Sequence, residues 1–206
     1  MELERTRYEV YVQERNIFAY YRGLLSRFFS HLKYEYYAYK ARSKGACIGH
    51  GVVMCKDFMR ACNKNVTVGN HCVINTGRII GIGHYPLKIG DNVIIGDGVK
   101  IVLGGHDLDS EEWQPFRESS KLVIEDYVWL CPDSVVLQSV KKVGRGSVLG
   151  ANSVLYRSLK PMSIAVGNPA TTVGTRSVVH SKLVVESLLH GDYKQYKETY
   201  KKRRKE

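Results

Sequence analysis

Seven histidines are available for proton transfer at neutral pH: His31, His50, His71, His84, His106, His180 and His190. An imidazole with an ordinary pKa near ~6.5 can take a proton from a hydroxyl there. His106 has the most telling context. It follows Gly104-Gly105 and stands directly before an irregular stretch, Asp107 to Lys121. A side chain at such a junction reaches a groove while its backbone stays fixed to a rigid element. The five cysteines (Cys47, Cys55, Cys62, Cys72, Cys131) are odd in number and none has C-x-x-C spacing. That argues against a disulfide framework and a zinc site, and reads as reduced thiols in a cytosol. No covalent nucleophile has a convincing partner, and Cys131 beside Pro132 reads as packing.

The element that must hold His106 is written in a six-residue period. Ile89-Gly90-Asp91-Asn92-Val93-Ile94 is followed by Ile95-Gly96-Asp97-Gly98-Val99-Lys100 and Ile101. Ile124, Leu130 and Val136 continue the spacing. After a one-residue slip at Lys141-Lys142 it resumes at Val143, Leu149 and Leu155. A helix cannot produce a strict six, so the expectation is a solenoid of very short strands, with the first and fifth residue of each hexad facing inward. The glycine that recurs at the second place is expected to serve a turn with positive φ. Residues 107–121 must leave the cylinder as a loop, and Ile80 to Lys88 forms a smaller bulge; long loops on rigid scaffolds are often functional.

The flanks differ. Between Glu14 and Ala41 the residues Phe18, Leu25, Phe28, Phe29, Leu32 and Tyr36 recur at three- and four-residue steps, which predicts an amphipathic helix. This stripe is expected to pack on the main domain. Its other use is a membrane surface, with Arg22, Arg27, Lys33 and Lys40 toward anionic lipid. Val178 to Leu189 reads as a second helix, followed by a basic run, Lys201 to Lys205, that is expected to be a solvated tail. The organisation is therefore a helical segment over 1–45, the β domain over 46–172 with its loop at 107–121, and a C-terminal helix and tail over 173–206. The net charge of +11 comes with no nucleic-acid motif. No run approaches the ~20 apolar residues of a membrane span. The first residues carry no apolar secretory segment, so a cytoplasmic chain is expected, at most peripheral to the inner membrane face.

Three motifs in order carry a resemblance: Gly104-Gly105-His106-Asp107-Leu108-Asp109-Ser110, Ile124-Glu125-Asp126-Tyr127-Val128-Trp129-Leu130, and Val166-Gly167-Asn168-Pro169-Ala170. From about Ile48 to Ala170 the chain resembles the hexapeptide-repeat acyltransferases, close to the maltose and galactoside O-acetyltransferases and the polysaccharide O-acetyltransferases of capsule and lipopolysaccharide clusters. The resemblance implies an all-β fold class: a left-handed parallel β-helix with flanking helices. It implies acetyl-CoA as co-substrate, no metal, a sugar or glycan hydroxyl as acceptor, and a homotrimer with active sites between subunits. His106 matches the catalytic base and Asn75 the rung asparagine that holds the acceptor or the developing oxyanion. Trp129, Gly150, Ala151 and Arg157 match positions along CoA, and Arg176 is a further cation for its phosphates. Asp107, Asp109 and Trp113 fall in the loop expected to meet the acceptor, and Asp107 or Glu125 is a candidate to orient the imidazole.

Two departures bear on the chemistry. The family has Gly-Ser or Gly-Ala after the tryptophan rung, where a backbone N–H binds the oxyanion; here Cys131-Pro132 stands there, and proline has no N–H. Losing one such donor typically costs ~10²–10³ in rate. Thr171-Thr172 replaces a basic residue after Ala170. Three other readings share the scaffold. A zinc carbonic anhydrase needs about three converging histidines, and no histidine follows His106 at the spacing that branch uses. A non-catalytic assembly module would ignore acetyl-CoA. An acetyltransferase of an amino sugar or antibiotic would differ only in its acceptor.

Overall fold

The computed structural model describes residues 6–107, 109–115, 121–179 and 182–202. Two helices come first, α1 (Arg7–Gln13) and α2 (Ile17–Ser43). The first coil follows, with β1 (Cys47–Ile48), β2 (Val53–Met54) and a short helix α3 (Lys56–Ala61) on its third side. The second coil holds β3 (Val66–Val68), β4 (Val73–Ile74) and β5 (Ile79–Ile80), and the third β6 (Leu87–Ile89), β7 (Ile94–Ile95) and β8 (Lys100–Val102). The fourth holds β9 (Leu122–Ile124), β10 (Trp129–Leu130) and β11 (Val135–Val136), and the fifth β12 (Lys142–Val143), β13 (Val148–Leu149) and β14 (Val154–Leu155). The chain closes with β15 (Ser163–Gly167), β16 (Ala170–Thr175), a 3-10 turn at Val185–Leu189 and α4 (Tyr193–Lys202).

Corresponding strands stack into three sheets. Sheet A runs β1-β3-β6-β9-β12, sheet B β2-β4-β7-β10-β13-β15-β16, and sheet C β5-β8-β11-β14. All pairings are parallel except β15 with β16, which turns back antiparallel. Each full coil therefore gives one strand to each side of a three-sided prism, a parallel β-helix. The columns inside follow the six-residue period. Ile48, Val68, Ile89, Ile124 and Val143 stack in sheet A. Met54, Ile74, Ile95, Leu130 and Leu149 stack in sheet B, and Ile101, Val136 and Leu155 in sheet C. These first-place residues are buried, as are fifth-place Val93, Val99, Ser134, Ser147 and Ser153. A buried aliphatic side chain contributes ~1.5–3 kcal/mol, so the columns hold only because the coils stack.

The reason for the second-place glycines differs from the expected one. Positive φ sits two residues later, at the fourth place: His71, Asn92, Gly98, Tyr127, Asp133, Gly146 and Asn152. Gly90 and Gly96 do not have positive φ. A Cβ on Gly90 would come 2.8 Å from the Asp126 nitrogen, and one on Gly96 2.8 Å from the Pro132 nitrogen. Glycine is needed there because the next coil passes too close for a side chain.

The long N-terminal helix also differs from expectation. Its buried face is Tyr20, Gly23, Arg27, Tyr34, Ala38 and Ala41, while Phe18, Leu25, Phe28, Phe29, Leu32 and Tyr36 are exposed. Ala38 and Ala41 close the first coil. Tyr20 stacks between Tyr196 and Tyr200 of α4. Gly23 lets the Tyr196 ring approach, since a Cβ there would lie 2.7 Å from its hydroxyl oxygen. Arg27, expected to face lipid, is buried: its Nε donates to Asp192 Oδ1 at 2.9 Å, and its guanidinium lies 4.1 Å from the Tyr196 ring centroid. The C-terminal helix falls at Tyr193–Lys202. Of the expected helix from Val178 to Leu189, the described residues keep the 3-10 turn, and Arg203, Arg204 and Lys205 of the basic run lie outside them.

Candidate active site

The coils turn at three edges: AB, BC and CA, named for the sheets they join. The AB and BC turns between β6, β7 and β8 take four residues each, 90–93 and 96–99. The irregular segments fall on the CA edge. There the chain leaves the ladder after Ile80 and returns at Leu87, and leaves again after Val102 and returns at Leu122. Sheet pairing is unbroken beneath both. One edge can thus carry added chain without disturbing the rungs.

His106 stands on this edge, exposed, in an isolated antiparallel bridge with Pro115. The Asp107 N–H donates to the Gln114 carbonyl at 2.8 Å, which closes the base of the segment. Nδ1 of His106 is hydrogen-bonded to the Trp113 carbonyl. A carbonyl oxygen only accepts, so Nδ1 carries the proton and Nε2 is left with its lone pair. Trp113 has φ of 52° and an exposed ring; its backbone oxygen, not its side chain, holds the His106 imidazole. Neither acid considered for that task performs it. Asp107 Oδ1 accepts from the Asp109 N–H at 3.0 Å. Glu125 lies on the AB edge, where it pairs with Lys142 at 2.6 Å and accepts from the Arg145 N–H at 2.8 Å. The Lys142 ammonium holds its carboxyl below the usual range.

Two neighbours of His106 escape a reading of the hexads. A Cβ on Gly104 would lie 2.4 Å from Tyr85 Cε2, and one on Gly105 2.5 Å from Gln138 Oε1. The two glycines therefore pass between the Tyr85 ring of one coil and the Gln138 amide of another. Gln138 Oε1 is buried and has no partner among the described residues. The signal that would have found both is their shared edge on successive coils.

The remaining predicted residues fall into separate groups. Arg157 shares the CA edge, exposed, with its guanidinium 5.0 Å from the Tyr156 ring centroid. Asn75, Gly150 and Ala151 lie on the BC edge. Trp129 points out of sheet B, 45% exposed. Asn75 donates its backbone N–H to the Ile95 carbonyl at 2.9 Å. Pro132 takes the third place of its hexad on this edge, in line with Asp97 and Ala151. Arg176 lies at the AB edge, where it donates to the carbonyls of Gly146 at 2.9 Å and Tyr127 at 3.3 Å. Sheet B is the side of the prism opposite the CA edge. One chain therefore does not bring His106 together with Trp129 or Asn75.

Burial raises the Cys131 thiol and pushes Cys62 and Cys72 up to about 12. A protonated thiol is a poor nucleophile. Among the described residues no cluster of three His, Cys, Asp or Glu could hold a metal ion. Two cavities, of about 530 and 770 Å³, lie along the C-terminal segment around Lys182 to Val184, and neither touches His106, Asn75 or Trp129.

Fold and site together describe a β-helix of six-residue repeats with an exposed histidine, His106, oriented through Nδ1 on its CA edge. No family model matches the chain. Relatives that it resembles are named acetyltransferases. The putative colanic acid biosynthesis acetyltransferase WcaF of Escherichia coli (strain K12) is 27% identical over 144 residues, 69% of this chain and 76% of the relative. The galactoside O-acetyltransferase of the same organism is 28% identical over 110 residues, 53% of each chain. The putative acetyltransferase C18B11.09c of Schizosaccharomyces pombe is 34% identical over 88 residues, and the chain spans only 42% of it. Among solved structures, the hexapeptide-repeat acetyltransferase VCA0836 of Vibrio cholerae superposes with a TM-score of 0.58 at 25% identity, covering 82% of this chain and 86% of that one.

Proposed function

We propose that the protein is an acetyl-CoA-dependent O-acetyltransferase acting on a hydroxyl of a sugar or polysaccharide precursor. The observation that carries this reading is the His106 imidazole, pinned at Nδ1 by a carbonyl and open at Nε2. Nε2 takes the proton of the acceptor hydroxyl as that oxygen bonds to the thioester carbonyl carbon. The tetrahedral adduct collapses, the C–S bond breaks, and the imidazolium returns the proton to the departing CoA sulfur. A base so placed contributes ~10²–10⁴-fold, and holding two substrates together supplies much of the rest. The Asn75 side-chain amide takes the place of the missing Pro132 N–H at the developing oxyanion.

Gly150 and Ala151 keep the BC edge low enough for a pantetheine arm to lie along it beside Trp129. Arg157 meets the CoA phosphates, with Arg176 a weaker candidate because it already serves two carbonyls. Asp107, Asp109 and Trp113 lie on the acceptor side. The separation of His106 from Asn75 and Trp129 supports a homotrimer whose active sites form where the CA edge of one subunit meets sheet B of the next. The reading takes a left-handed coil and a cytoplasmic location, and the likeness to relatives, two of which are named for colanic acid biosynthesis and for galactoside acetylation, supports a sugar acceptor.

The test is CoA release from acetyl-CoA across a panel of sugars, glycans, amino sugars and hydroxylated antibiotics. The wild type is expected to turn over a sugar hydroxyl. His106→Ala should lose at least ~10²-fold in kcat with acetyl-CoA affinity retained. Undiminished turnover by His106→Ala rejects the assignment, and no turnover with any acceptor together with no acetyl-CoA binding leaves the non-catalytic module.

A further inference from the structure

The exposed face of α2 carries none of the residues assigned above to acyl transfer. Phe18, Leu25, Phe29, Leu32, Tyr36 and Tyr39 stand on it, from 50% to 86% exposed. They recur at three-, four- and seven-residue steps, so they form one ridge along a helix of 27 residues, roughly 40 Å long at ~1.5 Å per residue. The opposite face is the one buried against the first coil and α4. Contiguous exposed apolar surface of this extent marks an interaction site.

The charges beside the ridge indicate what meets it. Arg22, Lys33 and Lys40 are exposed, and each follows a ridge aromatic by four residues: Phe18, Phe29 and Tyr36. They therefore line one flank of the ridge. The other flank is α4, which packs there through the contact of Phe28 with Tyr193 and exposes Lys194, Lys197, Lys201 and Lys202. Against these, α2 and α4 carry one acid each, Glu35 and Glu198. Two copies meeting along this face would bring these cations together with little to neutralise them, in a chain of net charge +11. An anionic lipid surface offers an apolar layer for the ridge and negative headgroups for both flanks. Among the described residues, no helix is long and apolar enough to cross a membrane.

We propose that α2 docks the protein on an anionic lipid surface, its aromatic ridge sunk to the headgroup–acyl boundary and its lysine and arginine flanks among the headgroups. This stands independently of the acetyltransferase reading. The test is flotation of the full chain with vesicles of phosphatidylcholine alone and of phosphatidylcholine with phosphatidylglycerol. Binding is expected to the mixed vesicles, weakened by high salt. A Phe18→Ser, Leu25→Ser, Phe29→Ser variant should bind at least about tenfold more weakly, since it loses three large apolar anchors. Arg22→Glu, Lys33→Glu, Lys40→Glu should lose the preference for phosphatidylglycerol. All six positions are exposed, so unchanged melting curves will certify the fold. Equal binding by wild type and both variants, or no wild-type binding, overturns the proposal. So does a smaller mass for the serine variant in light scattering, which would put the ridge between copies.

Discussion

At the scale of the residue, the molecule places charge where its surroundings can hold it. Arg27 and Asp192 are 4% and 0% exposed, and Tyr8 donates its hydroxyl to the same carboxylate at 2.6 Å. Burial, with Asp192 adding to it, raises the Tyr8 phenol, which stays protonated as donor. Asp192→Asn strands a buried guanidinium and should cost ~3–5 kcal/mol in denaturant unfolding, whereas Arg27→Met with Asp192→Leu should recover much of it. Glu125 has the opposite exposure and a pH signature. Its carboxyl is held low by Lys142, so its contribution to stability is complete above the ordinary glutamate pKa of about 4.3 and fades as pH falls through the lower folded value. Melting curves of Glu125→Gln should match the wild type more closely at acid pH than at neutral pH. His106 stood out in the sequence from position alone, a histidine where a repeat breaks, and its exposed place on the CA edge agrees with that position. Its partner was not, because a backbone carbonyl such as that of Trp113 has no residue-type signature.

At the scale of the element, the hexads were readable because no other local structure repeats every six residues. The side-chain columns stand where the period puts them. What the period could not tell was why glycine recurs, since a turn and a close approach select the same residue. Gly90→Ala tests the close approach, and Gly83→Ala is the control that meets neither demand. At Gly90 an added methyl meets backbone of the next coil, and at Gly83 nothing lies within 4 Å. The first should cost ~1–3 kcal/mol and the second little, read from denaturation midpoints. The α2 helix was legible as a helix but not for its orientation. It buries Gly23, Arg27, Ala38 and Ala41 and exposes its phenylalanines, so apolar spacing marks a face without saying what covers it. The C-terminal helix was missed because its buried Tyr196, Thr199 and Tyr200 sit in a lysine-rich background, while the more aliphatic stretch before it forms only the 3-10 turn Val185–Leu189.

At the scale of the whole molecule, the proposed function requires that two subunits complete each site, because His106 and Asn75 lie on different sides of the prism. Mixed assembly tests this. His106→Ala and Asn75→Ala subunits, each inactive alone, should regain roughly a quarter of wild-type activity when unfolded and reassembled in equal amounts, because that share of interfaces pairs an intact histidine with an intact asparagine. No recovery would place both residues in one subunit's site. A last consequence concerns the two ends of the cylinder. Stacked coils of parallel strands present the same unpaired backbone at each end, an invitation to grow into a filament. Here the first coil is covered by α2 and α3. At the other end, the reversed direction of β16 offers sheet B of an incoming copy the wrong polarity for the parallel ladder. The helices at one end and the hairpin on sheet B at the other thereby oppose the growth of a self-templating architecture.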